Sequence, residues 1–336
     1  MKLIVLLFLV GCAQVTSLNL RKHQFGLLPT KIIWFQVAGL EEEQIAMLRF
    51  QQSGEKITSF ENNICVGQTW NYNLYQLRSP AELTFLSQIT GKKNIKGTCE
   101  DATLRPIWSY LHGNNYTTAI IETGATAAQD LLHFNQCGEN GLNFLSNIYY
   151  YLRTTPAAGA STFHYSEKIP LVQNQLFYDR TCGANDCSST IFENFRSIYE
   201  SYKKVSPKHL LIVRDFSYLR ALTKKDFGRA KEILVDLERA YGEALRLTAS
   251  NDYMVILTSG ESKFVDMPDQ GKPWYEFEKE NKNAAVKRTK LTNMVLASGA
   301  RAENFCGMYE DADVFERILS GPKQQGLELK IINPFK

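Results

Sequence analysis

Apolar positions along this chain fall into two rhythms: short solid runs, and longer stretches spaced at the period of an α-helix. Lys31-Ile32-Ile33-Trp34-Phe35-Gln36-Val37-Ala38 is a solid run closed by Gly39 and reads as a buried strand. Glu41 to Phe50 then has helical spacing, with Ile45, Ala46 and Leu48 turned inward. The pattern predicts further helices over Ala81 to Ile89, over Ile107 to Leu111 with an end near Gly113, and around 126–133, 140–151 and 190–203. Thr118 to Ile121 reads as a strand between them.

The second half repeats this alternation. His209-Leu210-Leu211-Ile212-Val213, Tyr253-Met254-Val255-Ile256-Leu257 and Thr292 to Ala297 are strand runs. Phe227 to Leu247 predicts a long amphipathic helix with Ile233, Leu234, Leu237, Tyr241, Ala244 and Leu245 on one side. Thr223 and Asp226 before it resemble a capping box, and Asp311 to Leu319 predicts a closing helix. Strands separated by helices predict an α/β fold: a mostly parallel sheet with helices on both faces. The polar, Gly- and Pro-containing stretches 155–190 and 260–290 read as cap or insertion regions.

Composition narrows the field. With 336 residues, 44% hydrophobic and 22% charged, the chain can bury a full core and is not a disordered or collagen-like sequence. The formal charge is +3 and its basic residues form no long run, which argues against a nucleic-acid partner.

The first residues carry a targeting signal. Lys2 precedes an apolar run, Leu3 to Val10, far shorter than the roughly 20 residues that cross a bilayer. It fits the core of a signal peptide over residues 1–11. Leu9-Val10-Gly11-Cys12 resembles the bacterial lipobox, so Cys12 is expected to be acylated and to anchor the chain to a membrane through a linker over residues 12–30. The competing reading is an ordinary secretory signal cut near Ala13. Ala13 is not the Asp that commonly retains lipoproteins at the inner membrane, which favours the outer membrane of the cell envelope. The sequon Asn115-Tyr116-Thr117 would matter only in a eukaryote.

Removing Cys12 from the seven cysteines leaves an even set for disulfides in an exported chain: Cys65, Cys99, Cys137, Cys182, Cys187 and Cys306. Cys182 and Cys187 flank a turn-like Gly-Ala-Asn-Asp and are expected to pair; the partners of the other four stay open. No C-x-x-C pair supports zinc as the alternative.

Strand ends of residues 31–336 resemble the alkaline phosphatase superfamily of phosphatases, sulfatases and phosphodiesterases. The stretch from Ala297 to Phe315, with Gly299, Ala302, Phe305, Gly307, Glu310 and Asp313, resembles the family's G-x-x-A-x-x-F-x-G-x-x-(E/D)-x-(T/S)-D segment. Thr90-Gly91 resembles the close of the nucleophile helix, and Leu257-Thr258-Ser259-Gly260-Glu261-Ser262 a strand end that normally reads T-(S/A)-D-H-G.

The resemblance implies two metal ions, usually zinc, that activate a Ser, Thr or modified Cys nucleophile. The matching positions depart from that pattern. Ala38 stands where the first strand should end in a metal-binding Asp, and Ala81 stands at the nucleophile, with Ser79 two residues away. Asp215 is present, but Leu219 occupies its partner histidine's position. Gly260 and Glu261 fall on the Asp-His pair, and Arg288 on the last histidine. Of six implied ligands, Asp215 alone is unambiguous, and apolar side chains cannot replace the others.

Nothing else in the chain rebuilds a hydrolase. His23, His112, His133, His164 and His209 are isolated, and no H-E-x-x-H, G-x-S-x-G, P-loop or G-x-G-x-x-G occurs. Arg288 either places a guanidinium in an anion pocket or belongs to the solvated run Lys287-Arg288-Thr289-Lys290. The aromatic groups Tyr149-Tyr150-Tyr151 and Trp274-Tyr275 read as core or as a glycan or peptide surface. The sequence therefore predicts a lipid-anchored envelope protein with a catalytically inactive alkaline phosphatase-like domain and no cofactor, binding an envelope protein, an anionic ligand or a glycan. The alternatives are an ester hydrolase rebuilt from Ser79, Asp215, Glu261 and Arg288, with zinc only in that case, and a purely structural surface protein.

Overall fold

A computed structural model describes residues 29–51, 57–183 and 186–319. Its strands are β1 (Lys31–Ala38), β2 (Cys65–Trp70), β3 (Thr117–Thr123), β4 (Ile148–Arg153), β5 (Thr162–Phe163), β6 (Leu176–Asp179), β7 (His209–Asp215), β8 (Tyr253–Gly260), β9 (Lys263–Asp266), β10 (Ala285–Thr289), β11 (Thr292–Gly299) and β12 (Gly307–Glu310). The helices are α1 (Glu42–Gln51), α2 (Ala81–Thr90), α3 (Ile107–His112), α4 (Gly138–Phe144), α5 (Ile191–Tyr202), α6 (Ser217–Thr223), α7 (Phe227–Leu247), α8 (Gly271–Glu280) and α9 (Asp313–Leu319).

Ten of the described strands form one sheet in the order β12-β2-β11-β8-β1-β7-β3-β4-β6-β5. All of its pairings are parallel except those of β11, which runs against β8 and β2. The central strand shows why the sheet is buried on both sides. Alternate residues of a strand point to opposite faces. Ile33, Phe35 and Val37 pack with Phe195, Leu234 and Tyr241 of α5 and α7 on one face. Ile32 and Trp34 pack with Leu86, Ile89 and Trp108 of α2 and α3 on the other. This is the α/β architecture with helices on both faces that the apolar runs predict.

Several local expectations are corrected. No helix fills 140–151: α4 ends at Phe144, Asn147 takes a left-handed φ of 62°, and the aromatic run enters β4. Tyr149, Tyr150 and Tyr151 favour a pleated, packed strand, where all three are buried. The 126–133 helix is replaced by turns and a 3-10 segment, Leu131–Cys137, capped by Asp130. Thr223 does not cap α7; its hydroxyl donates to the Leu219 carbonyl at 2.8 Å, while Asp226 accepts from the Arg229 N–H at 3.0 Å. Residues 155–190 supply β5 and β6 to the sheet edge, and 260–290 carry the separate β9–β10 ladder with α8 between its strands.

Cys182 pairs with Cys187 as the turn between them suggests. The pairings left open resolve as Cys65 with Cys306, joining β2 to the turn before β12, and Cys99 with Cys137. Cys12 and the signal segment lie outside the described residues. Among the described residues no helix is long and apolar enough to cross a membrane.

Candidate functional site

The carboxyl ends of β1, β7 and β8 lie side by side, because Val37 is in register with Asp215 and Ala38 with Gly260. In open α/β sheets this edge is where ligands and chemistry collect. Here it is apolar. Ala38, Ala81, Phe85, Phe216 and Leu219 form a buried cluster of their own, with Ala125 packed against it. Phe85 and Phe216 meet edge to face at 5.4 Å, and the Arg214 guanidinium lies over both rings at 5.9 and 5.4 Å.

The glycines show how closely the plug fits. Gly39 has a φ of 87°, and a Cβ there would come within 3.1–3.2 Å of Leu219. A Cβ on Gly260 would reach 2.6 Å from the Phe85 ring. The space where the family resemblance puts metals is thus closed by side chains of α2, α6 and the β7–α6 turn.

The surviving polar groups are committed elsewhere. Asp215 is fully buried and its carboxylate accepts from Ser217 Oγ, from the Ser217 N–H at 3.2 Å and from the Tyr218 N–H at 3.0 Å. It therefore caps the first turn of α6. Burial pushes its pKa up, against the pull of those hydrogen bonds and of Arg153. Glu261 accepts from the Ala81 N–H at 3.1 Å, the first amide of α2, and from Lys263 Nζ at 2.7 Å. Ser79 is buried; its hydroxyl has Asn73 Nδ2 at 3.5 Å and the Pro80 carbonyl at 3.4 Å, with no general base bonded to it. Arg288 is exposed on β10.

Ser79, Asp215, Glu261 and Arg288 are therefore not brought into one bonded constellation. Among the described residues no group of three or more His, Cys, Asp or Glu side chains could hold a metal ion. The donor set does not fit a two-metal centre.

Two polar arrangements escape sequence reading. Behind the plug, Gln36, Gln88, Thr258 and Asp311 form a buried network. Gln36 donates to Gln88 at 3.1 Å and Thr258 to Gln88 at 2.8 Å, while Gln88 donates onward to Asp311 at 3.2 Å. The available signal was Gln36 inside the apolar run of β1. Beside the plug, Arg214 pairs with Glu122 of β3 at 3.0 Å, both fully buried, and Tyr150 donates to the same carboxylate. Burial raises the pKa of Glu122, opposed by Arg214 and Tyr150.

The fold matches solved structures over most of the chain. The alkaline phosphatase from the Antarctic bacterium TAB5 superposes with a TM-score of 0.66 at 13% identity, covering 87% of this chain and 98% of that one. This chain has the alkaline phosphatase fold. The cold-active alkaline phosphatase of Shewanella sp. gives a TM-score of 0.67 at 12% identity, covering 86% and 98%. That of Thermus thermophilus gives 0.66 at 12%, covering 91% and 94%. No family model matches the chain. No curated protein matches it either. At these identities the likeness concerns the fold, and the alkaline phosphatase-like edge described above has to be read from its own residues.

Proposed function

We propose that this chain is a non-catalytic member of the alkaline phosphatase-like folds, held at the cell envelope by an acylated Cys12, and that it acts by binding a partner protein or an anionic or glycan ligand. The observation that carries this reading is the apolar plug of Ala38, Ala81, Phe85, Phe216 and Leu219 at the strand ends. A two-metal site needs several carboxylates and imidazoles converging on each ion, and Ala, Leu and Phe supply none. Asp215 and Glu261, the acids that the hydrolase alternative would use, are engaged in capping α6 and α2. Three disulfide-bonded cysteine pairs fit an exported chain.

The test is metal content and ester turnover of the protein exported into an oxidising compartment and purified without chelator. Zinc below stoichiometric level, persisting after incubation with excess zinc, together with no release from p-nitrophenyl phosphate, its diester or p-nitrophenyl sulfate, is the expected result. Stoichiometric zinc or manganese, with turnover lost in a folded Asp215→Ala variant, would establish the hydrolase alternative instead.

A further inference from the structure

Exposed apolar side chains are not scattered evenly over this molecule. Of the thirteen large hydrophobic side chains exposed among the described residues, six lie on β2, on β12 and in the loop that leaves β2. Single exposed apolar residues are ordinary, whereas a contiguous set marks an interaction site.

Register makes the set contiguous. Val66 and Trp70 point to one face of β2, as alternate residues must, and Met308 of β12 is in register with Gln68 between them. On the neighbouring strand β11, Leu296 and Met294 are in register with Val66 and Gln68, and both are buried in the core. The cover on this face of the sheet therefore ends before β2 and β12, where Val66 is 60% exposed and Met308 53%.

Beyond Trp70 the chain enters a loop over 71–79 that carries Leu74, Tyr75 and Leu77, all exposed. Asn73 is buried beneath it. Its Oδ1 accepts from the Tyr75 and Gln76 N–H groups, both at 2.8 Å, and its Nδ2 donates to the Ile95 carbonyl at 3.3 Å. The Leu74 N–H donates to the Lys93 carbonyl at 3.0 Å. A hydrogen-bonded frame thus holds three apolar side chains out in solvent, and seating them on a partner costs little further ordering.

The charges beside the loop indicate the kind of partner. Lys93 pairs with Glu310 and Lys96 with Glu100, while buried Asp101 accepts from the N–H groups of Lys96, Gly97 and Thr98. Arg78 and Lys92 are exposed and make no ion pair among the described residues. Arg78 is fastened to the Thr289 carbonyl, to which its Nε donates at 2.9 Å. The uncommitted charge next to the leucines is therefore positive. Leucine and tyrosine tips flanked by cations suit an anionic lipid surface, where the tips enter the acyl boundary and the cations meet negative headgroups.

We propose that the 71–79 loop and the adjoining edge of the sheet dock on an anionic lipid surface, with Leu74, Tyr75 and Leu77 inserted and Arg78 and Lys92 at headgroup level. This contact does not depend on the acyl group proposed at Cys12, but the two are compatible. From Cys12 to Pro29 the chain can reach about 55 Å. β12 lies four strand spacings from β1, about 19 Å, and the loop one strand length further along, about 20 Å. One bilayer can hold both.

The test is co-sedimentation of the oxidised full chain carrying Cys12→Ser, so that no acyl group contributes, with vesicles of phosphatidylcholine alone or mixed with phosphatidylglycerol, at low and high salt. Binding to the anionic vesicles that weakens with salt is expected. Leu74→Ser with Leu77→Ser should keep the melting temperature, since both side chains are exposed, and lose partitioning by about tenfold or more. Arg78→Glu with Lys92→Glu should lose about tenfold on anionic vesicles only. In Tyr75→Trp, the added indole emission should be quenched by lipids brominated in their acyl chains.

The proposal is overturned if the chain does not bind anionic vesicles, if the leucine variant binds as the parent does, or if brominated lipids leave the added emission unchanged. Self-association of the parent without vesicle binding, abolished by the leucine variant, would overturn the membrane contact and give the surface to a second copy of the chain. The non-catalytic reading is decided separately, by metal content and ester turnover.

Discussion

Asp311 gives the protein a pH-dependent stability whose sign and size follow from its surroundings. The carboxyl is fully buried between β2, α2 and β11, and it accepts from Thr69 Oγ1 at 2.5 Å, Gln88 Nε2 at 3.2 Å and Asn293 Nδ2 at 3.1 Å. Those donors favour the charged form, but burial outweighs them and its pKa is pushed up to about 7 from an ordinary 3.8. The native state therefore holds a proton that the unfolded chain releases. Asp311's contribution is fully present below about pH 3.8 and is lost as pH rises through about 7. From about pH 4.5 to about pH 7.5 the loss integrates to about 3 kcal/mol.

Asp311→Asn isolates this effect. The amide oxygen can keep Thr69 and Gln88, while its NH2 faces the Asn293 amide, whose own oxygen is held by the Ser262 N–H at 3.2 Å. The mismatch costs about 1 kcal/mol at every pH and adds no slope. Urea denaturation of both proteins, disulfides intact, should show the parent losing about 3 kcal/mol relative to the variant across that range. Curves that stay parallel within about 0.5 kcal/mol, or a parent that gains on the variant as pH rises, would refute the assignment.

Further outcomes follow from the plug, the buried ion pair and the N-terminus. Gly260→Ala drives a methyl to within 2.6 Å of Phe85 and should cost about 1–3 kcal/mol, largely recovered by adding Phe85→Leu; an unchanged melting temperature would show that the plug is loose. Glu122→Gln leaves Arg214 buried without its counter-charge and should cost about 3–5 kcal/mol in urea unfolding, so a loss under about 1 kcal/mol would mean that water reaches the pair. Cys12→Ser should remove labelling by a palmitate analogue and release the protein from the membrane fraction; label retained by the variant would place the acyl group elsewhere.

The parts of the fold legible in sequence are those buried on both sides. β1, β7, β8 and β11 announce themselves as largely apolar runs because both faces are buried. β2 does not, since only Cys65, Gly67 and Thr69 of its alternating pattern are well buried, while Val66 and Trp70 are exposed. The 140–151 error has a similar cause. A tyrosine triplet has no period of its own, and the left-handed Asn147 between the helix and β4 is not marked by sequence spacing. At the site, the residues at the positions the resemblance implies are readable one by one, whereas the packing around them is not. Phe85 belongs to α2 and Phe216 to the turn after β7, so their contact depends on how distant elements pack.

The close fit of the plug bears on what this fold now does. A metal centre that had lost one ligand would leave a cavity with the remaining donors still pointing into it. Here Gly39 abuts Leu219, Gly260 abuts Phe85, and Glu261 has turned its carboxylate to the first amide of α2. Each of these residues is matched by a neighbour, so an acid placed at Ala38 alone would bury a charge against Leu219 and Phe85 rather than complete a ligand set.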